Sequence, residues 1–533
     1  MRQPNGDDEA GGHTSRPYVA WGRSAWRAYQ LASLPGRACL AIIDSFAQTG
    51  RDAVTGVEVI RPGDLARFSS EEVDVIIFAD AVRFGDEIRR QIMGIGSYEV
   101  YIHGCLTALP APLECSTREL FIRHRVDATL DEKVDSAVLI IPRLTNGGAE
   151  RQIVLLAVGL RAAGYDVRLV TFFQDAGEIS DLRAILAEHG VARVAISHPD
   201  DPARPLEIPA AQAGLYDDLR AFLPPLTVAL AVNVAMFLQA ERPSLLVSYL
   251  DCANMVAGIA GVVAGVRRIV LSGRNLAPTE YPEHPAYLAR VAVMCPVYRA
   301  LSSFAEVRLT ANSVAGAASY ERWLGGVRVV PVPNAVWLQT SEGLRETLRA
   351  SLGVGPGALL IAGVMRLTAQ KQPLRFVDVV AGLVRRGRNV KAVLVGDGEL
   401  RSAVEERVLE LGLEGRLTLV GARPMASNYI QAADLLILTS EYEGMPNVLL
   451  EALAAGTPFI ATEVGGVRDA IPPETHHVLV PFGEWEAFLE RCDDTLQRGR
   501  LDPSLVLGWV KDHDPRTLAE RTEGLFDQAP VRV

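Results

Sequence analysis

Two glutamates flank a predicted helix start in the last third of the chain. Glu443 precedes this start, and Glu451 follows eight residues later. Gly444, Met445 and Pro446 follow Glu443 in a loop, and the predicted helix 447–455 begins at Asn447. The free N–H groups and the dipole of a helix start favour a phosphate group, and Pro446 suits the first turn because the N–H that it lacks is not needed there. Glu443 can face the same ligand, and Glu451, about two turns deeper, can accept both hydroxyls of a ribose. The arrangement fits a nucleotide-diphosphate sugar better than two solvated glutamates, because Glu451 lies in an apolar helix.

Two cations follow a predicted strand in the same region. Arg366 comes directly after the apolar run 359–364, and Lys371 lies five residues beyond it. At the carboxyl edge of a sheet, such a pair could hold a diphosphate and stabilise its charge as it leaves. A basic pair flanking a surface helix is an equally good interpretation of these two residues taken alone.

Taken together, these motifs give the chain a family resemblance. Residues 136–527 closely resemble the retaining glycosyltransferases of the GT-B fold, family 4, which build bacterial polysaccharides. The motifs are E-G-M-P-N-V-L-L-E at 443–451, R-L-x3-K at 366–371, G-D-G at 396–398, N-G-G-A-E at 146–150 and V-P-N-A at 332–335. Each motif is short, and the resemblance rests on their order and spacing over some 390 residues.

The resemblance implies roles for particular residues. It makes Glu443, Arg366 and Lys371 catalytic, with Glu443 on the hydroxyls of the donor sugar and the two cations on its diphosphate. Glu451 would hold the ribose. Backbone amides near Gly444, Met445, Pro446 and Asn447 would cover the phosphates and sugar, and Gly147 and Gly148 would face the donor across a cleft. The family needs no cofactor and no metal, and the donor would be a UDP-, GDP- or similar nucleotide sugar.

The sequence departs from the family at one position. Many members place a histidine after a strand of the N-terminal domain, where it contacts the donor sugar, but residues 248–254 contain none. Asp251 or Asn254 could contact the donor or acceptor instead, and so could Arg274. The donor hexose is therefore left open.

The elements that would position these residues alternate between apolar runs and amphipathic helices from Pro17 nearly to the end. This alternation predicts α/β domains with mostly parallel sheets. We expect two Rossmann-like domains in GT-B arrangement, preceded by a smaller Rossmann-like α/β domain. The expected segments are a disordered tail at 1–15, an accessory domain at 16–125, a linker at 126–135, an acceptor domain at 136–334, a donor domain at 335–510 and a C-terminal helix at 511–533 that packs back on the acceptor domain.

The accessory domain has a degenerate glycine turn. Gly22 is present, but Trp21, Arg23 and Trp26 stand where small residues would let a backbone approach a pyrophosphate. A structural or regulatory module is therefore favoured over a dinucleotide site, and NAD-dependent chemistry is a weaker alternative.

Composition excludes several other classes of protein. Of 533 residues, 49% are hydrophobic and 22% charged, which indicates folded cores, and the net charge of −11 argues against nucleic acid as a partner. Six scattered cysteines, no C-x-x-C pair and no signal peptide indicate a cytoplasmic protein, with a peripheral contact at the inner face of the membrane left open. The segment Asp512-His513-Asp514 and the pair His476–His477 are interpreted as solvent-exposed polar residues and not as metal ligands.

We therefore expect a retaining, metal-independent glycosyltransferase. It would move a hexosyl or N-acetylhexosaminyl group from a nucleotide-diphosphate sugar to a glycan or lipid-linked acceptor in cell-surface polysaccharide biosynthesis. The alternatives are a GT-B sugar-nucleotide epimerase and a non-catalytic sugar-nucleotide-binding protein.

Overall fold

The structure is a computed structural model of the whole chain. The residues that it describes are 113–126, 133–145, 147–172, 181–196, 212–220, 223, 225–280, 285–337 and 343–527, together with six short strands between 18 and 103. The chain divides into two compact units: residues 1–113, 198–233 and 281–296 form the first, and the remainder forms the second.

The described helices are numbered in chain order. They are α1 (Leu113–His124), α2 (Gly148–Ala162), α3 (Asp181–Glu188), α4 (Ala213–Arg220), α5 (Pro225–Glu241), α6 (Asp251–Val263), α7 (Pro285–Ser302), α8 (Val314–Trp323), α9 (Leu344–Ser351), α10 (Pro373–Arg385), α11 (Arg401–Glu410), α12 (Ser427–Ala432), α13 (Asn447–Ala455), α14 (Trp485–Arg498), α15 (Pro503–Lys511) and α16 (Pro515–Glu523).

The strands form three sheets. The first comprises β1 (Tyr18–Trp21), β2 (Cys39–Ile43), β3 (Gly50–Arg51), β4 (Glu58–Ile60), β5 (Asp74–Phe78) and β6 (Val100–His103). The second comprises β7 (Lys133–Ile141), β8 (Asp166–Thr171), β9 (Ala192–Ala195), β10 (Pro243–Tyr249), β11 (Ile269–Gly273), β12 (Val307–Ala311) and β13 (Val330–Pro331). The third comprises β14 (Leu359–Val364), β15 (Val390–Val395), β16 (Leu417–Gly421), β17 (Leu435–Leu438), β18 (Phe459–Glu463) and β19 (Leu479–Pro481).

The first sheet belongs to the first unit and has the order β3-β4-β2-β1-β5-β6. Its pairings are parallel except for the antiparallel pairing of β3 with β4. The expected tail at 1–15 and the turn around Gly22 lie outside the described residues.

The second unit holds two parallel, Rossmann-like sheets, as the sequence predicted. The sheet of its N-terminal half has the order β13-β12-β11-β10-β7-β8-β9, and that of its C-terminal half has the order β16-β15-β14-β17-β18-β19. In both, the strand order reverses beside the first strand, between β7 and β10 and between β14 and β17. Doubly wound sheets bind ligands at this switch point, outside the carboxyl ends of the strands.

Each half has its own hydrophobic core. The strands are buried on both faces, as in β10 and β17, because helices cover both sides of a parallel sheet. This explains the short, nearly continuous apolar runs in the sequence. Strand β7 already begins at Lys133, so the last three residues of the expected linker belong to the second sheet.

The sequence pattern also predicts a single amphipathic helix over 509–526, and this prediction is wrong. Helix α15 ends at Lys511, and α16 begins afresh at Pro515. Pro515 lacks an N–H and cannot continue a helix, and Asp514 caps the new one by accepting a hydrogen bond from the Thr517 amide at 2.7 Å. Helix α16 packs on α2, with Leu518 in the core of the N-terminal half.

Asp434 ties three elements of the C-terminal half together. Its carboxylate accepts hydrogen bonds from Arg349 at 2.8 Å, from Arg345, and from the Leu360 amide at 2.7 Å. Burial opposes ionisation of this group, but the bonds from Leu360, Arg349 and Arg345 outweigh it and lower the pKa of Asp434.

We therefore expect Asp434→Asn to destabilise the protein by about 2–3 kcal/mol at neutral pH, because two arginines lose their counter-charge. The lowered pKa means that the stabilisation is present above the ordinary aspartate pKa and is lost as pH falls through the folded value. Denaturant unfolding of both proteins between neutral and acid pH measures this. Glu520→Gln, which breaks the exposed pair with Arg516, is the control. If the difference in free energy of unfolding between the wild-type protein and Asp434→Asn stayed constant down to acid pH, the charge of Asp434 would not be the source of the stabilisation.

Candidate active site

The predicted site residues follow the four strands that border the two switch points. Arg366 follows β14 and Glu443 follows β17, which are neighbours in the third sheet. Gly147 follows β7 and Asp251 follows β10, which are neighbours in the second sheet. The parallel topology therefore places each pair at the edge where such sheets bind ligands.

Glu443 is buried and held from two sides. Its Oε1 accepts hydrogen bonds from Lys371 Nζ at 2.5 Å and from Ser440 Oγ at 2.6 Å. The structure thus brings together the carboxylate and one of the two cations that the sequence singled out. Ser440 is completely buried at the end of β17 and orients the carboxylate toward Lys371.

The Arg366 loop is fastened to the Glu443 loop by Gln370. Gln370 Oε1 accepts from Arg366 Nη2 at 3.1 Å, and its amide nitrogen donates to the Tyr442 carbonyl at 2.9 Å. The Glu441 amide also donates to the Gln370 carbonyl at 2.8 Å. Sequence reasoning passed over Gln370, although its place between the two cations was a signal that it could bridge them.

Two glycines let another loop approach the backbone of Glu443. The Gly466 amide donates to the Glu443 carbonyl at 3.0 Å. A Cβ at Gly465 would lie 2.1 Å from that carbonyl oxygen, and one at Gly466 would lie 1.7 Å from the Gly444 oxygen. Both positions therefore require glycine, and the backbone that carries Glu443 is fixed by close contact.

Glu451 lies in a cavity between the two halves of the second unit. Arg151 of α2 approaches it, with 3.7 Å between Nε and the Glu451 Oε1. The cavity is lined by both halves, including Gln152, Trp337, Ser427 and Asn447. Burial raises the pKa of Glu451, and the charge of Arg151 offsets part of that effect. A buried carboxylate with one distant cation has capacity to accept further hydrogen bonds.

The loop at Gly147 and Gly148 faces the C-terminal half. The Asn447 amide nitrogen donates to the Gly148 carbonyl at 3.0 Å, and a Cβ at Gly148 would lie 3.0 Å from that nitrogen. Glu150 accepts from Thr145 at 2.7 Å. Burial raises the pKa of Glu150, and the positive charge of Arg366 is among the influences that lower it, so the two halves interact electrostatically here.

Asn334 and Asn447 form the centre of a polar network between the halves. Asn334 Nδ2 donates to the Met445 carbonyl at 3.0 Å and to Asn447 Oδ1 at 2.6 Å. Gln152 Nε2 donates to the same Asn447 oxygen at 3.1 Å, and the side chain of Gln152 forms two 2.7 Å bonds with the backbone of Ala335. Pro446, at the cap position, leaves α13 without a side-chain cap.

Asp251 and Asn254 are engaged within the N-terminal half. Asp251 accepts hydrogen bonds from the hydroxyls of Tyr298 at 2.8 Å and Tyr320 at 2.7 Å. Asn254 is completely buried and donates to the Ser272 carbonyl at 2.9 Å and to Tyr298 at 3.0 Å. Both side chains therefore fix the edge of the second sheet.

Arg274 reaches the central network. Its Nη2 donates to Asn334 Oδ1, and its guanidinium lies over the ring of Tyr249 at 4.1 Å. Of the three residues proposed in place of the missing histidine, Arg274 thus lies beside the start of α13, whereas Asn254 does not reach it.

The polar residues near the C-terminus have structural roles. His513 is buried and stacked on Trp509 with 4.3 Å between ring centroids, so the interpretation of this residue as solvent-exposed is wrong. Its carbonyl accepts a 2.6 Å hydrogen bond from the Val336 amide.

Within the described residues, no group of three His, Cys, Asp or Glu side chains is placed to hold a metal ion. No helix in that part of the chain combines the length and apolarity needed to cross a bilayer.

Comparison with known proteins finds a family match for the part of the chain that holds Arg366, Lys371, Glu443 and Glu451. Residues 345–504 match the family model described as "Glycosyl transferases group 1". The Vi polysaccharide biosynthesis protein VipC/TviE of Salmonella typhi is 28% identical over 362 residues, which cover 61% of this chain and 58% of that protein. A D-inositol 3-phosphate glycosyltransferase of Nocardia farcinica is 34% identical over 32% of this chain and 41% of its own length. The chain thus spans less than two thirds of either relative.

Solved structures agree on the fold. HepE of Anabaena, crystallised with UDP and glucose, superposes with a TM-score of 0.58 at 19% identity, covering 74% of this chain and 99% of HepE. The sucrose-phosphate synthase of Thermosynechococcus elongatus gives 0.55 at 20% identity, over 74% and 98%. The two Rossmann-like domains of the second unit therefore have the GT-B fold.

The raised pKa of Glu451 leads to a stability prediction. The folded protein retains this proton at pH values where the unfolded chain has lost it, so stability falls as pH rises from the ordinary glutamate pKa toward the folded value. Glutamine carries no charge, so Glu451→Gln removes the cost of burying an ionised carboxylate. We expect it to raise Tm near pH 8, by about 2–4 °C for each kcal/mol of that cost. Scanning calorimetry from pH 4 to pH 8 measures the difference, which should shrink in acid. Glu414→Gln, at an exposed glutamate, is the control. A lower Tm for Glu451→Gln than for the wild-type protein at pH 8 would show that the buried carboxylate does not destabilise the fold.

Proposed function

We propose that the protein is a retaining glycosyltransferase that transfers a sugar from a nucleotide-diphosphate donor to a glycan or lipid-linked acceptor in polysaccharide biosynthesis. The observation that carries this proposal is the convergence of Lys371, Arg366 and Glu443 beside the start of α13, at the switch point of the third sheet. The match to the glycosyltransferase segment and the names of the relatives support the same conclusion.

The donor would bind mainly to the C-terminal half. Its diphosphate lies between the start of α13 and the two cations, Arg366 and Lys371, where helix dipole and charge both favour an anion. Glu451 accepts the hydroxyls of the ribose. Glu443 accepts hydroxyls of the sugar, and its bond to Lys371 holds it beside the sugar–phosphate bond. Gly147 and Gly148 cover the donor from the N-terminal half.

The chemistry proposed is same-face substitution. The sugar–phosphate bond breaks with oxocarbenium character, and Arg366, Lys371 and the helix start stabilise the departing diphosphate. The acceptor hydroxyl attacks from the face that the phosphate leaves and gives its proton to that phosphate, so the anomeric configuration is kept. The cations and helix start supply the charge stabilisation that a divalent metal would otherwise give, and we propose that transfer is metal-independent.

Substitution at the convergent residues tests the function. We expect Glu443→Ala and Arg366→Ala each to lower the rate of transfer by about 10²–10³, the typical cost of removing one electrostatic contact to the transition state. Transfer from a panel of UDP- and GDP-sugars to lipid-linked oligosaccharides is the measurement. Glu441→Ala is the matched control, because this exposed glutamate lies two residues from Glu443 and its backbone contact survives the change. Full activity of Glu443→Ala would refute the assignment.

Product stereochemistry tests the mechanism separately. We expect an α-linked nucleotide sugar to give an α-linked product, observed by NMR during the reaction, because attack and departure share one face. An inverted anomeric centre would contradict retention but not transfer. Isomerisation of the donor without an acceptor would instead indicate an epimerase, and donor binding without any reaction would indicate a binding protein.

A further inference from the structure

Arg274 is a partly buried cation with an unusual set of partners. Its Nη1 donates to Ser272 Oγ at 3.2 Å, its Nη2 donates to Asn334, and the Tyr249 ring lies 4.1 Å below the guanidinium. Its Nε is shielded from solvent and has no hydrogen-bond partner. A guanidinium group carries five N–H donors in a fixed planar arrangement, and here the Nε donor has no acceptor.

No carboxylate in the described part of the chain pairs with Arg274. Its three partners are a hydroxyl, an amide oxygen and an aromatic ring, so burial lowers its pKa without an opposing acid, Tyr249 giving a small contrary effect. Buried arginines normally have a charged partner, because an uncompensated buried charge is strongly destabilising. The missing counter-charge points to an anion that arrives from outside the protein.

Arg308 provides an internal comparison. It also lies over an aromatic ring, that of Phe526 at 5.0 Å, and burial lowers its pKa too. However, its Nε donates to the Leu525 carbonyl at 3.1 Å, and its Nη1 donates to those of Ala305 at 2.7 Å and Val307 at 3.1 Å. Arg308 is therefore satisfied by the backbone, whereas Arg274 is not.

The position of Arg274 indicates which ligand would supply the anion. The amide of Asn334 that accepts from Arg274 also donates to the Met445 carbonyl and to Asn447, so one side chain separates the guanidinium from the start of α13. The backbone oxygen of Arg274 lies 3.0 Å from where a Cβ of Gly444 would stand, directly after Glu443. An anion at Arg274 would thus lie beside the donor sugar and its diphosphate.

We propose that Arg274 binds an anionic group of the nucleotide-sugar donor. This rests on the function proposed above and adds a residue to its binding site. A nucleotide sugar offers two such groups: the diphosphate, and the carboxylate of the sugar when that sugar is a uronic acid. Both match the fork of a guanidinium, which binds planar carboxylates and phosphates through paired hydrogen bonds.

The test measures binding of defined ligands to the full-length chain by isothermal titration. The ligands are UDP, UDP-glucose and UDP-glucuronate, with GDP, GDP-mannose and GDP-mannuronate as the second series. The variants are Arg274→Met, Arg274→Gln, which keeps a polar side chain in case the first does not fold, and Arg274→Lys. Arg308→Met is the matched control for loss of a buried arginine stacked on an aromatic ring.

We expect Arg274→Met and Arg274→Gln to weaken binding about 10- to 100-fold, the range for a lost charge-assisted contact, with partial recovery in Arg274→Lys and none of this loss in Arg308→Met. An equal loss for all three ligands of a series identifies the diphosphate as the bound anion. A loss confined to the uronate ligand identifies the sugar carboxylate. Unchanged affinities in Arg274→Met and Arg274→Gln would overturn this inference alone. Failure of the wild-type protein to bind any of the six ligands would overturn the proposed function as well.

Discussion

The hydrogen bond between Asn334 and Asn447 is the contact on which the geometry of the site depends. Asn334 belongs to the segment after β13, and Asn447 is the first residue of α13, so the bond joins the segment between the halves to the helix start that would bind phosphate. Gln152 adds a bond from α2 to the same Asn447 oxygen. Since both asparagines are engaged by three or more groups, the start of α13 cannot shift without breaking contacts in both halves. The position of the proposed anion site is therefore set by the interface between the halves, not by the C-terminal half alone.

Much of this arrangement follows from the sequence because parallel topology is restrictive. Once 359–364 and 435–438 are recognised as strands, the residues after them must reach the same edge, and this brings Arg366 and Glu443 near each other. The E-x7-E spacing adds the helix start, since Pro446 marks where a helix can begin. The fold class and the convergence of the central cations and acids were thus within reach of sequence reasoning.

The residues that hold these cations and acids in place could not be predicted from the sequence. Gln370 and Ser440 are ordinary polar residues in a loop and at a strand end, and only tertiary contacts show that they orient Arg366 and Glu443. Arg151 lies 300 residues before Glu451, and no local sequence pattern connects the two. His513 was misread for the related reason that a polar residue between two aspartates resembles a surface turn. Its burial depends on Trp509 and on a backbone bond to Val336, which pattern reasoning does not weigh.

Both glutamates of the motif have a cationic neighbour, but the two contacts differ in kind. Lys371 and Glu443 belong to the same half and are 2.5 Å apart, so their pair can persist while a sugar is bound. Arg151 and Glu451 belong to opposite halves and are 3.7 Å apart, too far for a hydrogen bond. A ribose that bonds to Glu451 must therefore compete with, or insert beside, a residue of the opposite half. In the proposed function, binding of the nucleoside would thereby be coupled to the spacing between the halves, whereas the Lys371–Glu443 pair lies within one half and does not depend on that spacing. The proposed function therefore predicts that the nucleoside end of the site, and not the sugar end, responds to closure of the cleft.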